Sequence, residues 1–560
     1  MADAIPAETG VSTSADGSGE GAWWSRLRAA KRAGTGVAWR TLGQALEGAG
    51  REQAAVYAYR RAMARDPVDF PSRHRAGALL RHHGNVAQAE AIYRELLTIN
   101  PHDAGAAGQL GHILVDKGHS RDYHEAEGLL RRAIDLGADV DKALVPLCRL
   151  LAAQEREGDI LDLTEHETGV HALGQRGQAE AALGRMAAAR TSFQAVLAQD
   201  PDHARAWYSL AGLRLMDGAR EAAGLDADTS LPEHLADKAR AADGLERAWW
   251  AFAAGYTLED AERYDEAWAF YDDANACVRQ HLVSNAAEIE DHERRIRATY
   301  TAPVLNRLAG GQVTTPGPTP VFIVGMPRSG TTLMERIIGA HPQAAPLGER
   351  ADLQEIMGAM TPSDMSARYP WPERAAYLRP VAAGAIAGAY LARVNSLAFQ
   401  GAQVAVDKMP EQFRQLGVIA ATMPQARIIH VTRDARDVAV SNYTARFHDG
   451  LAWSFDLESI ARRQTSYEAT LEHWRALLPR ECFLEVSYEA LVRDPEKEVA
   501  RLLAFLGLHY EDACVHGHSE TSAPVRTSSM AQVRRGISTG SIGRWQRFGA
   551  ARLAPVINRM

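Results

Sequence analysis

Two kinds of hydrophobic pattern divide this chain. From about residue 23 to 300, apolar and small residues recur at helical spacing and read as a succession of paired helices. Beyond about residue 315 the pattern changes to short apolar runs. Val321-Phe322-Ile323-Val324 is rich in β-branched residues and reads as a buried parallel strand. Val404-Ala405-Val406 and Ile428-Ile429-His430-Val431 read as strands too, the first ending in Asp407-Lys408 and the second leading through a polar turn into a helix. Residues 1–22 are rich in Ala, Gly, Ser, Thr and acids without periodicity, so a disordered tail is expected there.

The helical part carries an internal period. Asp66-Pro67 and Asn100-Pro101 lie 34 residues apart, the tetratricopeptide period. One unit has Trp39, Leu42, Gly43, Ala55, Tyr59, Ala62 and Pro67, and the next keeps Gly77, Ala89, Tyr93 and Pro101. A third has Leu110, Gly111, Ala126 and Ala133; later ones are marked by Gly177, Ala189, Phe193 and Pro201, and by Gly255, Ala267, Tyr271 and Ala274. Residues 140–169 fit poorly, and 217–240 read as an inserted loop. Such units cannot bury their apolar faces singly, so a stacked helical solenoid is expected over 23–300. Its concave face suits a peptide or partner protein; self-association into a homodimer and simple bracing of the second domain are equally open.

The chemistry begins where the first strand ends. Gly325-Met326-Pro327-Arg328-Ser329-Gly330-Thr331-Thr332 is a tight loop, and Leu333, Met334, Ile337 and Ile338 then recur at helical spacing. A strand, a glycine loop and a helix N-terminus make an anion site, since successive N–H groups converge and the helix dipole favours negative charge. A nucleoside-triphosphate loop needs Lys directly after its second Gly. Here that position is Thr331, and the cation comes earlier, at Arg328, which weakens a kinase or ATPase reading.

Pro-Arg-Ser-Gly-Thr-Thr after an apolar strand resembles the 5′-phosphosulfate loop of sulfotransferases, which use 3′-phosphoadenosine 5′-phosphosulfate (PAPS). The resemblance covers roughly the last 240 residues. It looks closest to tyrosylprotein sulfotransferases and to bacterial sulfotransferases carrying tetratricopeptide repeats. It implies an α/β, P-loop-like domain with a central parallel sheet over 315–560, following the α-helical tetratricopeptide solenoid. It also implies site residues. Arg328, Ser329, Gly330, Thr331 and Thr332 would cradle the 5′-phosphosulfate. Glu349, in Gly348-Glu349-Arg350, matches the catalytic base, and Lys408 the cation on the sulfate and bridging oxygen. Arg433 and Ser441 match the 3′-phosphate contacts, and Tyr488 a residue near the adenine. Ser529 and Arg544 match residues that close over PAPS, with Ser529 helping Lys408 at the leaving group.

Elementary chemistry agrees with those roles. A carboxylate in a partly dry site can take a hydroxyl proton. A compact ammonium can neutralise charge on a departing phosphate, and the planar arginine fork suits phosphate oxygens. His430 invites comparison with the catalytic His of small-molecule sulfotransferases, but inside an apolar strand it reads as a satisfied core residue. From residue 521 to the end there are seven Arg and no Asp or Glu, an electropositive flap for a multiply charged nucleotide.

Protein tyrosine is the acceptor this reading favours, with a sugar, lipid or small phenol as the alternative. A catalytically silent repeat scaffold that binds nucleotide is the reading from another class. The net charge of −8 argues against a nucleic-acid partner. Four scattered cysteines (148, 277, 482 and 514) lack metal-ligand spacing and read as reduced thiols of a cytoplasmic protein. No metal is required, and His516-Gly517-His518 reads as an ordinary loop. Neither a signal peptide nor a membrane span is expected, since no run of 18 apolar residues occurs.

Overall fold

The computed structural model describes residues 19–119, 122–138, 140–360, 370–447, 449–517 and 536–559. Ser529, Ser528, Tyr369 and His518 fall outside these residues. The chain divides into two compact units, Met1–Ala179 and Glu180–Met560.

The first unit is helical. Successive helices include Gly36–Gly48 with Glu52–Met63, Phe70–His82 with Val86–Ile99, and Ala104–Lys117 with Tyr123–Asp135. The recurring glycines have a geometric cause. A Cβ on Gly43 would sit 2.6 Å from the Tyr59 ring, one on Gly77 2.7 Å from Tyr93, and one on Gly111 2.6 Å from Leu130. Each glycine is thus the place where one helix admits the bulky side chain of its neighbour. In the second unit Gly255 does the same for Tyr271, at 2.5 Å. Trp39, Tyr59 and Tyr93 are buried in the core so formed.

Three stretches differ from the sequence reading. A helix starts at Gly19, inside the stretch read as a tail. Residues 140–169 form helices Val140–Ala153 and Glu157–Thr164. Their pattern is masked because Pro146 lies inside the first and the second has only 8 residues. The segment read as an inserted loop at 217–240 contains the helix Leu231–Ala241, whose Leu235, Ala236 and Ala239 are buried. Two of these three are alanines, which a hydrophobic pattern registers weakly.

The second unit continues with the helices Ala204–Leu213, Gly244–Asp260, Tyr264–Arg279 and Ala286–Thr299, then turns α/β. Five strands, β1 (Thr319–Gly325), β2 (Ala344–Pro346), β3 (Val404–Lys408), β4 (Arg427–Thr432) and β5 (Phe483–Ser487), form one parallel sheet in the order β2-β3-β1-β4-β5. Val321, Ile323, Val406, Ile429 and Val431 are buried against Met334, Ile337, Leu502 and Leu503 of the covering helices. With β1 central, β3 pairs on one side and β4 on the other, so the chain reverses its winding direction at β1. Ligands of open α/β sheets bind beyond the strand C-termini at such a reversal. The five strands lead there into the loop at 325, Gly348-Glu349, Lys408, Arg433 and Tyr488 respectively.

Candidate functional site

The loop after β1 turns sharply into the helix Thr331–Gly339. Two residues carry the turn. Gly330 has φ 110°, and a Cβ there would meet Tyr488 at 2.6 Å. Arg328 holds a left-handed φ of 72° despite its side chain, a strained conformation of the kind that persists where surrounding structure enforces it. That enforcement is visible. Arg328 Nε donates to Ser441 Oγ at 2.8 Å, Arg433 Nη1 donates to the Arg328 carbonyl at 3.0 Å, and Asn442 Nδ2 donates to the Pro327 carbonyl at 3.0 Å.

The structure therefore brings Arg328, Arg433 and Ser441 together although they come from two strand–helix turns. Ser441 lies on the helix Ala435–Tyr443, and Arg433 stacks on the Tyr488 ring at 4.5 Å. Burial, and then the neighbouring Arg433, push the Arg328 guanidinium down to about 10, with Arg544 acting in the same direction. A buried guanidinium of depressed basicity, with a second guanidinium converging on it, marks a place short of negative charge. Two buried polar atoms point the same way: Ser329 Oγ and Arg433 Nε find no hydrogen-bond partner among the described residues. Thr331 and Thr332, at the helix N-terminus, are buried beside them. A phosphate would supply the missing acceptors. If the loop takes the nucleotide that the resemblance implies, Gly330→Ala is expected to abolish measurable 3′,5′-bisphosphoadenosine binding while the protein stays folded, a result that calorimetry and circular dichroism would check together.

Across the sheet, Lys408 ends β3 with its side chain only 3% exposed. Its Nζ donates to Glu349 Oε1. Glu349 follows Gly348, whose φ of 74° lets the chain turn back, and the Lys408 amide donates to the Gly348 carbonyl at 3.0 Å. The Glu349 side chain is 44% exposed, so solvent has access to it. A second carboxylate, Glu335, stands 3.8 Å from the same ammonium.

Beside Lys408, on the opposite face of β3, Asp407 is buried and accepts from Tyr390 Oη at 2.6 Å and Gln412 Nε2 at 3.3 Å. Burial pushes its carboxyl up to about 7 from an ordinary 3.8, outweighing the two hydrogen bonds that favour the charged form. An acid whose folded value is raised destabilises the fold as pH climbs. Its contribution is intact below pH 4 and is lost between about pH 4 and 7, on the order of 4 kcal/mol at most. Asp407→Asn is expected to match the wild type near pH 4 and to exceed it in urea midpoint above pH 7.

The C-terminal segment lies over Arg433. Arg433 Nη2 donates to the Ser541 carbonyl at 2.7 Å, and the amides of Gly543 and Trp545 donate to Asp437 at 2.7 and 3.0 Å. Arg544 is held by both oxygens of Glu259, on the helix Gly244–Asp260, and by Thr444 Oγ1 at 3.1 Å. Burial raises the Glu259 carboxyl, yet Arg544 outweighs it and keeps the group below its ordinary value. Ser529, expected at the leaving group, lies outside the described residues. His430 is a core residue, fully buried between Glu485 and Tyr467.

Sequence reasoning missed Glu335, Asn442 and Glu259. Asn442 adjoins the expected Ser441, so only its proximity offered a signal; Glu259 lies 285 residues from its partner and offered none.

A family model described as the sulfotransferase family matches residues 320–512. Residues 320–512 are a sulfotransferase domain. Protein-tyrosine sulfotransferase 1 of Danio rerio is 28% identical over 217 residues, covering 38% of this chain and 60% of that enzyme. An uncharacterised protein of Aquifex aeolicus is 34% identical over 317 residues, 56% of this chain and 41% of its own. The chain thus spans less than two thirds of either relative. Among solved structures, the sulfotransferase domain of a Synechococcus olefin synthase aligns with 44% of this chain and 95% of its own, at 23% identity and a TM-score of 0.30. Among the described residues of the chain, no cluster of His, Cys, Asp or Glu could hold a metal ion, and no helix is long and apolar enough to cross a membrane.

Proposed function

We propose that this chain moves the sulfuryl group of PAPS to an acceptor hydroxyl, with tyrosine in a polypeptide as the acceptor. The observation that carries the reading is the anion-deficient cluster of Arg328, Arg433 and Ser441 around the β1 loop, on the same sheet edge as the Lys408–Glu349 pair. The loop from Arg328 to Thr332 would hold the 5′-phosphosulfate. Arg433 and Ser441 would hold the 3′-phosphate, and Tyr488 would lie by the adenine.

In this reading Glu349 takes the acceptor's proton as its oxygen bonds to sulfur. The bond from sulfur to the bridging oxygen breaks, and the electron pair leaves on the phosphate. Lys408 offsets that charge; Ser529, which lies outside the described residues, would assist it by family resemblance, and Arg544 would close the nucleotide side. The products are the sulfate ester and 3′,5′-bisphosphoadenosine. Tyrosine in a polypeptide is supported by the name of the Danio rerio relative and by the paired helices of the first unit, which, if they stack as the repeat pattern implies, can hold an extended chain. Four free cysteines support a cytoplasmic setting.

The test is transfer of radiolabelled sulfate from PAPS to tyrosyl peptides, phenols, sugars and cell extract. Label on a peptide or protein supports the full proposal, and label on small molecules alone replaces its acceptor. Absence of label with bisphosphoadenosine still bound would favour a silent nucleotide-binding scaffold.

A further inference from the structure

Glu335 lies on the helix that begins at the anion loop, and its side chain is 12% exposed. Its two oxygens have different partners. Oε1 accepts the Gly348 amide at 3.0 Å, and Oε2 stands 3.8 Å from Lys408 Nζ. One carboxylate therefore touches both halves of the reacting pair: the turn that presents Glu349 and the ammonium that meets the leaving oxygen. Lys408 is in turn tied to that turn by its own amide, through the Gly348 carbonyl. Helix, turn and strand end are closed into one ring of contacts.

This ring resolves a conflict within the proposed chemistry. Lys408 bonded to Glu349 neutralises the base that should receive the acceptor's proton. For transfer, the ammonium must turn toward the bridging oxygen while Glu349 turns to the acceptor. Releasing Glu349 takes a carboxylate from this buried ammonium before charge has built up on the leaving oxygen, an unfavourable change. Glu335 remains beside it throughout. We infer that Glu335 is a positioning residue, which keeps Lys408 charged and in place when Glu349 is released and fixes the Gly348 turn from which Glu349 acts.

The inference rests on the sulfotransferase reading, so the experiment first establishes that wild type transfers label and that Lys408→Ala does not do so at the wild-type rate. Failure at that stage removes the reading itself. Glu335→Gln, which preserves shape and can still accept the Gly348 amide, is then compared with wild type. Turnover is expected to fall about 10- to 100-fold, the scale of losing ångström-level alignment of reacting groups. The KM for PAPS, bisphosphoadenosine affinity and melting temperature should stay near wild type. In a double-mutant cycle, Glu335→Gln should have little further effect once Lys408 is Ala, because its action passes through that lysine. Glu335→Asp should recover part of the lost turnover. Unchanged turnover in Glu335→Gln, an additive cycle, or a loss that merely tracks melting temperature would each overturn the assignment.

Discussion

Lys408→Ala is expected to lower turnover by about 10²- to 10³-fold, the usual effect of removing one preorganised donor to developing charge. The size of the loss follows from where the lysine sits. Its side chain is 3% exposed at the end of a central strand, so water cannot take the place of the ammonium. In a water-poor site each fixed charge has more influence than it would in solvent. Bisphosphoadenosine affinity should change far less, because the product no longer carries the sulfuryl group. Rapid-quench measurement of a single turnover would separate the chemical step from product release. Turnover near the wild-type level would show that the leaving oxygen is stabilised elsewhere.

Arg433→Ala is the second large effect. This arginine braces the β1 loop through the Arg328 carbonyl, braces the C-terminal segment through the Ser541 carbonyl, and leaves Nε without a partner among the described residues. A charge-assisted contact to a phosphate contributes about 1.5–3 kcal/mol, so bisphosphoadenosine affinity should fall about 10- to 100-fold. Adenosine 5′-phosphosulfate, which lacks the 3′-phosphate, serves as the control. If Arg433 reads the 3′-phosphate, affinity for the control should change little. An equal loss for both ligands would mean that the arginine acts by shaping the loop.

Much of this site was legible in the sequence because strand ends announce themselves. An apolar run followed by glycine, or by Asp-Lys or Thr-Arg, locates a residue at the carboxyl edge of a sheet before any coordinates are known. That logic placed Arg328, Lys408, Arg433 and Tyr488, and it kept His430 in the core. It failed for Glu335 because a glutamate early in an amphipathic helix looks like a solvated face; only the return of the chain at Gly348 turns it inward. It failed for Glu259 for a different reason. The contact joins residues 285 apart, and hydrophobic periodicity carries no information about which distant ion will be met. The helix Leu231–Ala241 was missed because two of its three buried residues are alanines.

The Glu259–Arg544 pair bears on modularity. The family match ends at residue 512, which invites treating the matched domain as a detachable cassette behind an optional helical front. The contacts contradict that division. Asn275 donates to the Tyr443 carbonyl, Arg463 pairs with Glu293 where both are wholly buried, and Glu259 secures the arginine that follows the Ser541 turn. A protein cut at residue 315 would keep every residue of the recognised motif, yet it would strip Arg544 of Glu259 and Arg463 of Glu293, leaving Arg463 only the more distant Glu411; losing one partner of a buried pair costs about 3–5 kcal/mol. The helices from about 244 onward thus belong to the heritable unit of activity. Natural recombination or laboratory grafting that preserves function should therefore find its seam upstream of them.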